Sequence, residues 1–136
     1  MIKPIMKSEF FLRLPSEDAG PDDAATGQDL LGTLHEHEHE CVGLAANMIG
    51  VRKRIICVKD GNRTLLMYNP QILEQVNAYQ TSEGCLSLIG ERPCTRYRRI
   101  KVEYLDENFV HRIKNFSGYT AEIIQHEIDH CNGIVI

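Results

Sequence analysis

The sequence lacks tryptophan altogether, and aromatic residues make up only 7% of its 136 residues. It also lacks any run close to the roughly 20 apolar residues that a membrane-spanning helix requires. The N-terminal stretch MIKPIMKSEFFLRL carries scattered charges and has no signal-peptide core. These absences argue against a membrane or secreted protein, and we expect a cytoplasmic one.

Cysteine is present, but in a form that excludes a disulfide scaffold. The chain has 5 cysteines, an odd number without a regular spacing. A chain of 136 residues buries roughly two thirds of its unfolded surface, so it needs neither disulfides nor a structural metal to fold. We therefore expect residues 1–136 to form a single domain, with thiols free for metal chemistry.

An excess of positive charge is also absent. The formal net charge of −4 argues against a general nucleic-acid surface. One local basic run alternates with apolar residues, and we interpret it as the solvated face of a strand. Its members are Arg92, Arg96, Arg98, Arg99 and Lys101.

Periodicity predicts helices at both ends of the chain and strands between them. We predict helices at 28–40 and 120–131 and strands at 54–59, 64–68, 71–76, 100–105 and 109–113. Asn69-Pro70 indicates a turn, and residues 106–108 indicate a hairpin. This order predicts an α+β fold: mostly antiparallel sheets packed around a C-terminal helix, with an N-terminal helix.

The stretch HEHEHE, residues 35–40, resembles a metal-binding tract. His35 and His39 would lie one turn apart on a helix and could chelate an ion. Histidine and glutamate at an acidic helix end are, however, more often ordinary solvated residues. We therefore interpret the tract as exposed surface.

The strongest chemical signal is HEIDH at 126–130, which has the form H-E-x-x-H on the predicted C-terminal helix. His126 and His130 share one helix face and can reach one metal ion, with Glu127 beside them as an acid/base group. A catalytic site needs a third ligand and an open position for water. Spacing alone does not choose the third ligand. We expect Cys57 to lie in the core and Cys131 to point away from the metal. The candidates are Cys41, Cys57, Cys85, Cys94, Cys131, His35, His37, His39 and His111.

Three motifs in order give the chain a resemblance to the peptide deformylase family. They are CVGLAANM at 41–48, EGCLS at 83–87 and QHEIDH at 125–130, and YNPQI at 68–72 resembles the stretch between the first two. The resemblance implies a metal-dependent hydrolase that removes the formyl group from the N-terminal formyl-methionine of nascent polypeptides, near the ribosome. It implies a divalent metal held by Cys85, His126 and His130, typically Fe²⁺, with Zn²⁺, Ni²⁺ or Co²⁺ as substitutes.

The resemblance also implies roles for residues around the metal. Glu127 would relay protons, and the backbone N–H of Leu86 would donate a hydrogen bond to the developing oxyanion. Residues that pair with the substrate backbone or line its methionine pocket would be Val42, Gly43, Gly84 and Ile123.

The first motif departs from the family pattern at two positions. Cys41 replaces a glycine, and Met48 replaces a glutamine whose amide would donate to the oxyanion; a thioether cannot donate. We therefore predict an intact metal site with reduced deformylase activity. One alternative is a catalytically weak paralogue that retains metal and peptide binding. Another is a metallopeptidase that cleaves internal bonds, although the cysteine ligand and the other two motifs disfavour it.

Overall fold

A computed structural model describes residues 1–136. The helices are α1 (Glu9–Leu12), α2 (Ala24–Glu36) and α3 (Gly118–Cys131), with short 3-10 helices at Pro21–Asp23 and Ala46–Ile49. The strands are β1 (Gly43–Ala45), β2 (Ile55–Asp60), β3 (Arg63–Cys85), β4 (Leu88–Leu105) and β5 (His111–Ser117). No helix has both the length and the apolar content that crossing a bilayer demands.

The five strands form one sheet in which neighbours follow the chain order. Every pairing is antiparallel. Helix α3 packs against β1, β2 and β4, and helix α2 packs against β1, β2 and β3. The predicted α+β class, with antiparallel strands packed around the C-terminal helix, is confirmed.

Strand β3 runs without a break through the position where we predicted a turn. Asn69 adopts a positive φ of 54°, and the pairing with β4 shifts register between Tyr68 and Gln71. Asparagine tolerates this left-handed conformation, and its side-chain amide exchanges hydrogen bonds of 2.7 and 2.9 Å with the backbone of Ala19. The predicted turn at Asn69-Pro70 is wrong, because these contacts hold the segment as a bulge within the strand.

The hairpin between β4 and β5 is confirmed. The carboxylate of Asp106 accepts a hydrogen bond from the Asn108 N–H at 2.9 Å, which closes the turn. Strand β5 begins at His111 rather than at the predicted Phe109. Phe109 has a positive φ of 61° and instead stacks on Tyr68, with ring centroids 4.2 Å apart.

Helix α2 begins and ends earlier than the predicted 28–40. The Asp23 carboxylate accepts a hydrogen bond from the Gly20 N–H at 2.9 Å, and Pro21 fits the first turn that follows. Because helix α2 ends at Glu36, residues 37–40 of the HEHEHE stretch form a turn rather than helix. His35 and His39 are exposed, and His37 pairs with Glu40 at 2.6 Å. The exposure of His35 and His39 agrees with the interpretation of this tract as surface.

The core lies where helices cover both faces of the central strands. In β2 the four successive residues Ile55, Ile56, Cys57 and Val58 are all fully buried. Because neighbouring side chains of a strand point to opposite faces, both faces are covered there. The Cys57 thiol lies 3.7 Å from the Leu30 carbonyl of α2, as expected for a core residue.

Gly27 allows helix α2 to approach strand β3, and we expect a larger side chain there to be destabilising. A Cβ atom at Gly27 would lie 2.1 Å from the Tyr68 hydroxyl oxygen. Gly27→Ala should therefore lower the free energy of unfolding by about 1–3 kcal/mol. Urea unfolding followed by circular dichroism measures the change.

Gly32 in the same helix provides the matched control, because a Cβ there would meet nothing nearer than 3.7 Å. Gly32→Ala should be neutral or stabilising by about 0.5–1 kcal/mol. Adding Tyr68→Phe to Gly27→Ala should restore part of the loss by removing the hydroxyl. Equal stability of the two alanine variants would contradict the proposed close packing.

Candidate metal centre

One face of helix α3 places the predicted histidines and glutamate in the interior. His126 and Glu127 are almost fully buried, and His130, one turn further on, is completely buried. The helix spans Gly118–Cys131 and ends where Gly133 adopts a φ of 76°, as expected for a glycine after the last turn. The predicted C-terminal helix and its stop are confirmed.

Strand β3 ends at Cys85, and its thiol meets the two imidazoles. Cys85 Sγ lies 3.4 Å from His130 Nε2, and that nitrogen lies 3.2 Å from His126 Nε2. Ligand atoms of all three residues lie within 4.8 Å of one another, and no other group of three potential ligands does. Of the candidate third ligands left open by spacing, the structure brings only Cys85 to the histidines.

The separations fit a tetrahedral metal ion. Metal–nitrogen bonds of about 2.0–2.1 Å and a metal–sulfur bond of about 2.3 Å place tetrahedral ligands about 3.3–3.6 Å apart. The observed 3.2 and 3.4 Å lie close to those values. One thiolate and two imidazoles form a donor set suited to Zn²⁺, Fe²⁺, Co²⁺ or Ni²⁺ and leave a fourth position open for water.

A buried ion-pair network behind the cluster orients His126. His126 Nδ1 lies 2.8 Å from a carboxylate oxygen of Glu83, so Nε2 faces the cluster. Arg96 Nη2 donates to the same carboxylate at 2.8 Å, and Arg96 Nη1 donates to Asp129 at 2.7 Å. Such a carboxylate partner fixes the ring orientation of a ligating histidine.

The sequence does not predict this network, because the basic run that contains Arg96 is typical of a solvated strand face. Arg96 is only 4% exposed, so that interpretation is wrong for this residue. The two-residue period of β4 does not identify it, because Arg98 has the same parity as Arg96, Ile100 and Val102 and is exposed. Glu83 was visible only as the first letter of the EGCLS motif.

The two carboxylates near the cluster differ in their electrostatics. Burial opposes ionisation of Glu83, but hydrogen bonds from His126 and Arg96 outweigh it and hold its pKa well below the usual range. Burial raises the pKa of Glu127 to about 7 and outweighs the opposing charge of His126. Oxygen Oε1 of Glu127 is buried without a hydrogen-bond partner. The arrangement leaves Glu127 free to accept and release a proton.

The two imidazoles are shifted in opposite directions. Burial, together with the charge of His126, lowers the pKa of His130 to about 3. Burial also opposes the charged form of His126, but hydrogen bonds with Cys85 and Glu83 outweigh it and raise its pKa to about 10. A neutral imidazole is the form that ligates a metal, so His130 is ready to bind one, whereas metal binding would displace a proton from His126.

A cleft of about 700 Å³ opens onto the cluster. Residues that the resemblance assigned to substrate or oxyanion binding all lie on its walls: Val42, Gly43, Met48, Gly84, Leu86 and Ile123. Cys41 also lines the cleft, whereas His130 lies behind it. Strand β1 pairs only with β2, so its second edge is free to bind an extended chain.

Gly43 sets the distance between strand β1 and helix α3. A Cβ atom there would lie 2.7 Å from Ile123 Cγ2 and 3.0 Å from a carboxylate oxygen of Glu127. Any larger residue would push the helix, and with it Glu127, away from the strand. Glycine is therefore required for packing as well as for access to the cleft.

Met48 is buried in the wall of the cleft with 1% of its surface exposed. Its sulfur lies 3.5 Å from the Ala45 N–H and accepts a weak hydrogen bond. The neighbouring Asn47 amide donates to the His130 carbonyl at 2.9 Å and is also buried. The side chain at position 48 thus brings no donor to the cleft.

The chain is similar to known proteins along its whole length. The family described as polypeptide deformylase matches residues 6–136. A peptide deformylase of Clostridium beijerinckii is 52% identical over 136 residues, which are 100% of both chains. Peptide deformylase 1 of Clostridium perfringens is 38% identical over 111 residues, covering 79% of this chain and 74% of the relative.

Solved structures agree with these sequence matches. A class I type b peptide deformylase from Acinetobacter baumannii, crystallised with Met-Ala-Ser bound, superposes with a TM-score of 0.89 at 28% identity; the match covers 99% of this chain and 97% of that chain. Peptide deformylase from Thermus thermophilus superposes with a TM-score of 0.89 at 33% identity, and the match covers 99% of this chain and 84% of that chain.

Removing the Arg96 guanidinium should destabilise the protein strongly. Arg96→Met keeps most of the side-chain volume but removes the guanidinium that pairs with the Glu83 and Asp129 carboxylates. Breaking a buried pair in this way costs about 3–5 kcal/mol. Urea unfolding of the variant measures the loss.

Arg99→Met is the matched control, since Arg99 lies on the same strand with its side chain exposed. It should change the free energy of unfolding by less than about 0.5 kcal/mol. If Arg96→Met and Arg99→Met unfold at the same urea concentration, the buried network contributes no stability.

Proposed function

Because the chain belongs to the polypeptide deformylase family, we propose that its thiol–imidazole cluster holds the catalytic metal of a formyl-methionine hydrolase. The family assigns the reaction: the enzyme is a metal-dependent hydrolase that removes the formyl group from N-terminal methionine. The observation that carries the assignment of residues is the convergence of Cys85, His126 and His130 within 4.8 Å.

In this proposal Cys85, His126 and His130 bind one divalent ion, with Fe²⁺ as the native metal and Zn²⁺, Ni²⁺ or Co²⁺ as possible substitutes. When bound, the ion supplies a Lewis acid and water activated near neutral pH. Glu83 keeps His126 in the orientation and tautomer that ligation needs, since it contacts Nδ1 at 2.8 Å.

Glu127 is the proposed acid/base. It would take a proton from the attacking water and return it to the leaving nitrogen, so that the methionine leaves as a neutral amine. Its burial, its unpartnered Oε1 and its pKa of about 7 support this role. A general base works best when its pKa lies near the operating pH.

The developing oxyanion would be stabilised by the backbone N–H of Leu86. Leu86 and Met48 both line the cleft, but Met48 supplies only a thioether, which cannot donate. One donor is therefore missing, and we propose that turnover is reduced for this reason. Loss of one such donor typically costs about 10²–10³ in rate.

The substrate would bind as an extended strand between Val42–Gly43 and Gly84, which lie on the walls of the cleft. Ile123, with His126, would line the pocket for the methionine side chain. The Met-Ala-Ser ligand of the Acinetobacter baumannii enzyme supports a peptide substrate of this kind. We further propose that residues 1–136 act as one deformylase domain in the cytoplasm, on nascent chains near the ribosome.

Replacing Cys85 should remove the metal, although the Cys41 thiol remains in the cleft. Cys85→Ala deletes one of three proposed ligands, and we expect less than about a tenth of the wild-type metal content after dialysis. Elemental analysis measures the ratio of metal to protein. Cys41→Ala is the matched control, because Cys41 lines the same cleft but lies outside the cluster. Unchanged metal content in Cys85→Ala would remove Cys85 from the ligand set.

Hydrolysis of formyl-Met-Ala-Ser by anaerobically prepared Fe²⁺ protein tests the function itself. Exclusion of air matters because the thiolate oxidises. We expect deformylation by the wild-type protein and an increase in kcat of about 10²–10³ in Met48→Gln, which restores a side-chain donor. Met48→Leu, which keeps the volume and adds no donor, should match the wild type.

The outcomes separate the two parts of the proposal. Equal high rates for wild type and Met48→Gln would show that position 48 does not limit turnover. A metal-loaded protein that binds Met-Ala-Ser but does not deformylate would favour the weak paralogue, an alternative that the buried thioether of Met48 supports. No hydrolysis and no peptide binding by either variant would refute the assignment.

A further inference from the structure

The segment that precedes helix α1 lies across two loops of the cleft. The Met6 N–H donates to the Met48 carbonyl at 2.7 Å, and Lys7 Nζ donates to the Leu86 carbonyl at 2.9 Å. Two residues later, Glu9 lies 3.7 Å from the Arg92 guanidinium of strand β4. We call residues 6–9 the N-terminal clasp.

The two carbonyls belong to the two positions that face the developing oxyanion in the proposed function. Met48 lies in the 3-10 helix that follows β1, and Leu86 lies in the short connection between β3 and β4. Both residues line the cleft, and the clasp donates to both loops from adjacent residues. One backbone N–H and the adjacent lysine side chain thereby connect the two loops.

Lys7 acts on the peptide group that also contacts the cluster. The carbonyl of Leu86 and the N–H of Ser87 belong to one peptide unit. Lys7 holds the carbonyl end at 2.9 Å, and the N–H end donates to Cys85 Sγ at 3.4 Å. A cation on the carbonyl oxygen polarises the unit and strengthens the hydrogen bond from its N–H.

The connection has few other restraints. It comprises Leu86 and Ser87 only, and the pairing of β3 with β4 is irregular between Gly84 and Cys85. The Ser87 hydroxyl is buried without a hydrogen-bond partner and so does not anchor the loop. Lys7 itself is exposed, so solvent screens its charge. It acts on the loop mainly by orienting the Leu86 carbonyl through one hydrogen bond.

We propose that Lys7 is a positioning residue, which holds the Leu86–Ser87 peptide so that Leu86 faces the cleft and the Ser87 N–H supports the Cys85 thiolate. Its catalytic consequence rests on the proposed function, because it requires Leu86 to be the oxyanion donor. Its effect on the thiolate does not depend on deformylation.

Three variants separate the hydrogen bond from the general effect of losing a lysine. Lys7→Met keeps the length of the side chain and removes every donor, whereas Lys7→Arg keeps charge and donors. Lys3→Met is the control, since Lys3 lies in the same segment and its ammonium is 3.9 Å from Asp29, away from the loops.

With Fe²⁺ protein and formyl-Met-Ala-Ser, Lys7→Met should lower kcat about 5-fold to 10-fold, the factor of one ordinary hydrogen bond, with KM unchanged. With Co²⁺ protein, its thiolate-to-metal charge-transfer band should shift, because the less polarised Ser87 N–H donates a weaker hydrogen bond to Sγ. Hydrogen exchange at the Ser87 amide should be faster. Lys7→Arg should recover most of each property, and Lys3→Met should match the wild type.

If the band and the Ser87 exchange of Lys7→Met equal those of Lys3→Met, the proposal is overturned. A lower kcat with an unchanged band would also overturn it, since the effect would not pass through the Leu86–Ser87 peptide. Absence of deformylation by the wild type would instead contradict the proposed function, and the Co²⁺ band and amide exchange would still decide the role of Lys7.

Discussion

The close approach of helix α3 to strand β1 is the constraint on which the site depends. The helix carries His126, Glu127 and His130 on its buried face, so its distance from the sheet fixes where all three lie. Gly43 permits that distance, because a Cβ atom there would lie 2.7 Å from Ile123 Cγ2. The same glycine leaves the free edge of β1 open to the cleft. One position therefore serves both the packing of the helix and the access of an extended chain.

Burying this face of α3 also places carboxylate side chains in the interior, where they need hydrogen-bond or ion-pair partners to stay ionised. An ionised carboxylate in the interior costs several kcal/mol unless it is paired. Glu83 is hydrogen-bonded to Arg96 and His126, which keeps it ionised, whereas burial raises the pKa of Glu127, whose Oε1 has no hydrogen-bond partner, to about 7. Environments that move the pKa values of two neighbouring carboxylates apart commonly separate a supporting group from an acid/base group. The difference follows from the position of Arg96, on a strand that reaches behind the helix.

The sequence predicted the parts of the site that depend on local spacing. Helical spacing was enough to place His126 and His130 on one face, while placing Cys85 beside them required the order of three motifs, because a contact across 45 residues has no local signature. Arg96 was misassigned, since an arginine in a basic run is usually solvated and its partners lie on β3 and α3. The bulge at Asn69 was taken for a turn for the same reason: its stabilising partner, Ala19, lies 50 residues away. Local patterns thus predicted the helices and strands, whereas long-range polar contacts determined the structure at Arg96 and Asn69, where the predictions were wrong.

Met48 brings no hydrogen-bond donor, so in the proposed mechanism other groups of the cleft have to stabilise the oxyanion. A side-chain donor can adjust to the substrate by rotating, whereas a backbone N–H moves only with its loop. With a thioether at Met48, oxyanion stabilisation in the proposed mechanism falls to Leu86, in a connection of two residues. The geometry of that connection then matters more than it would beside a second donor, because a hydrogen bond weakens steeply as it bends. A tether such as that of Lys7, 79 residues away in the chain, holds the carbonyl of the same residue whose N–H is the one donor that remains.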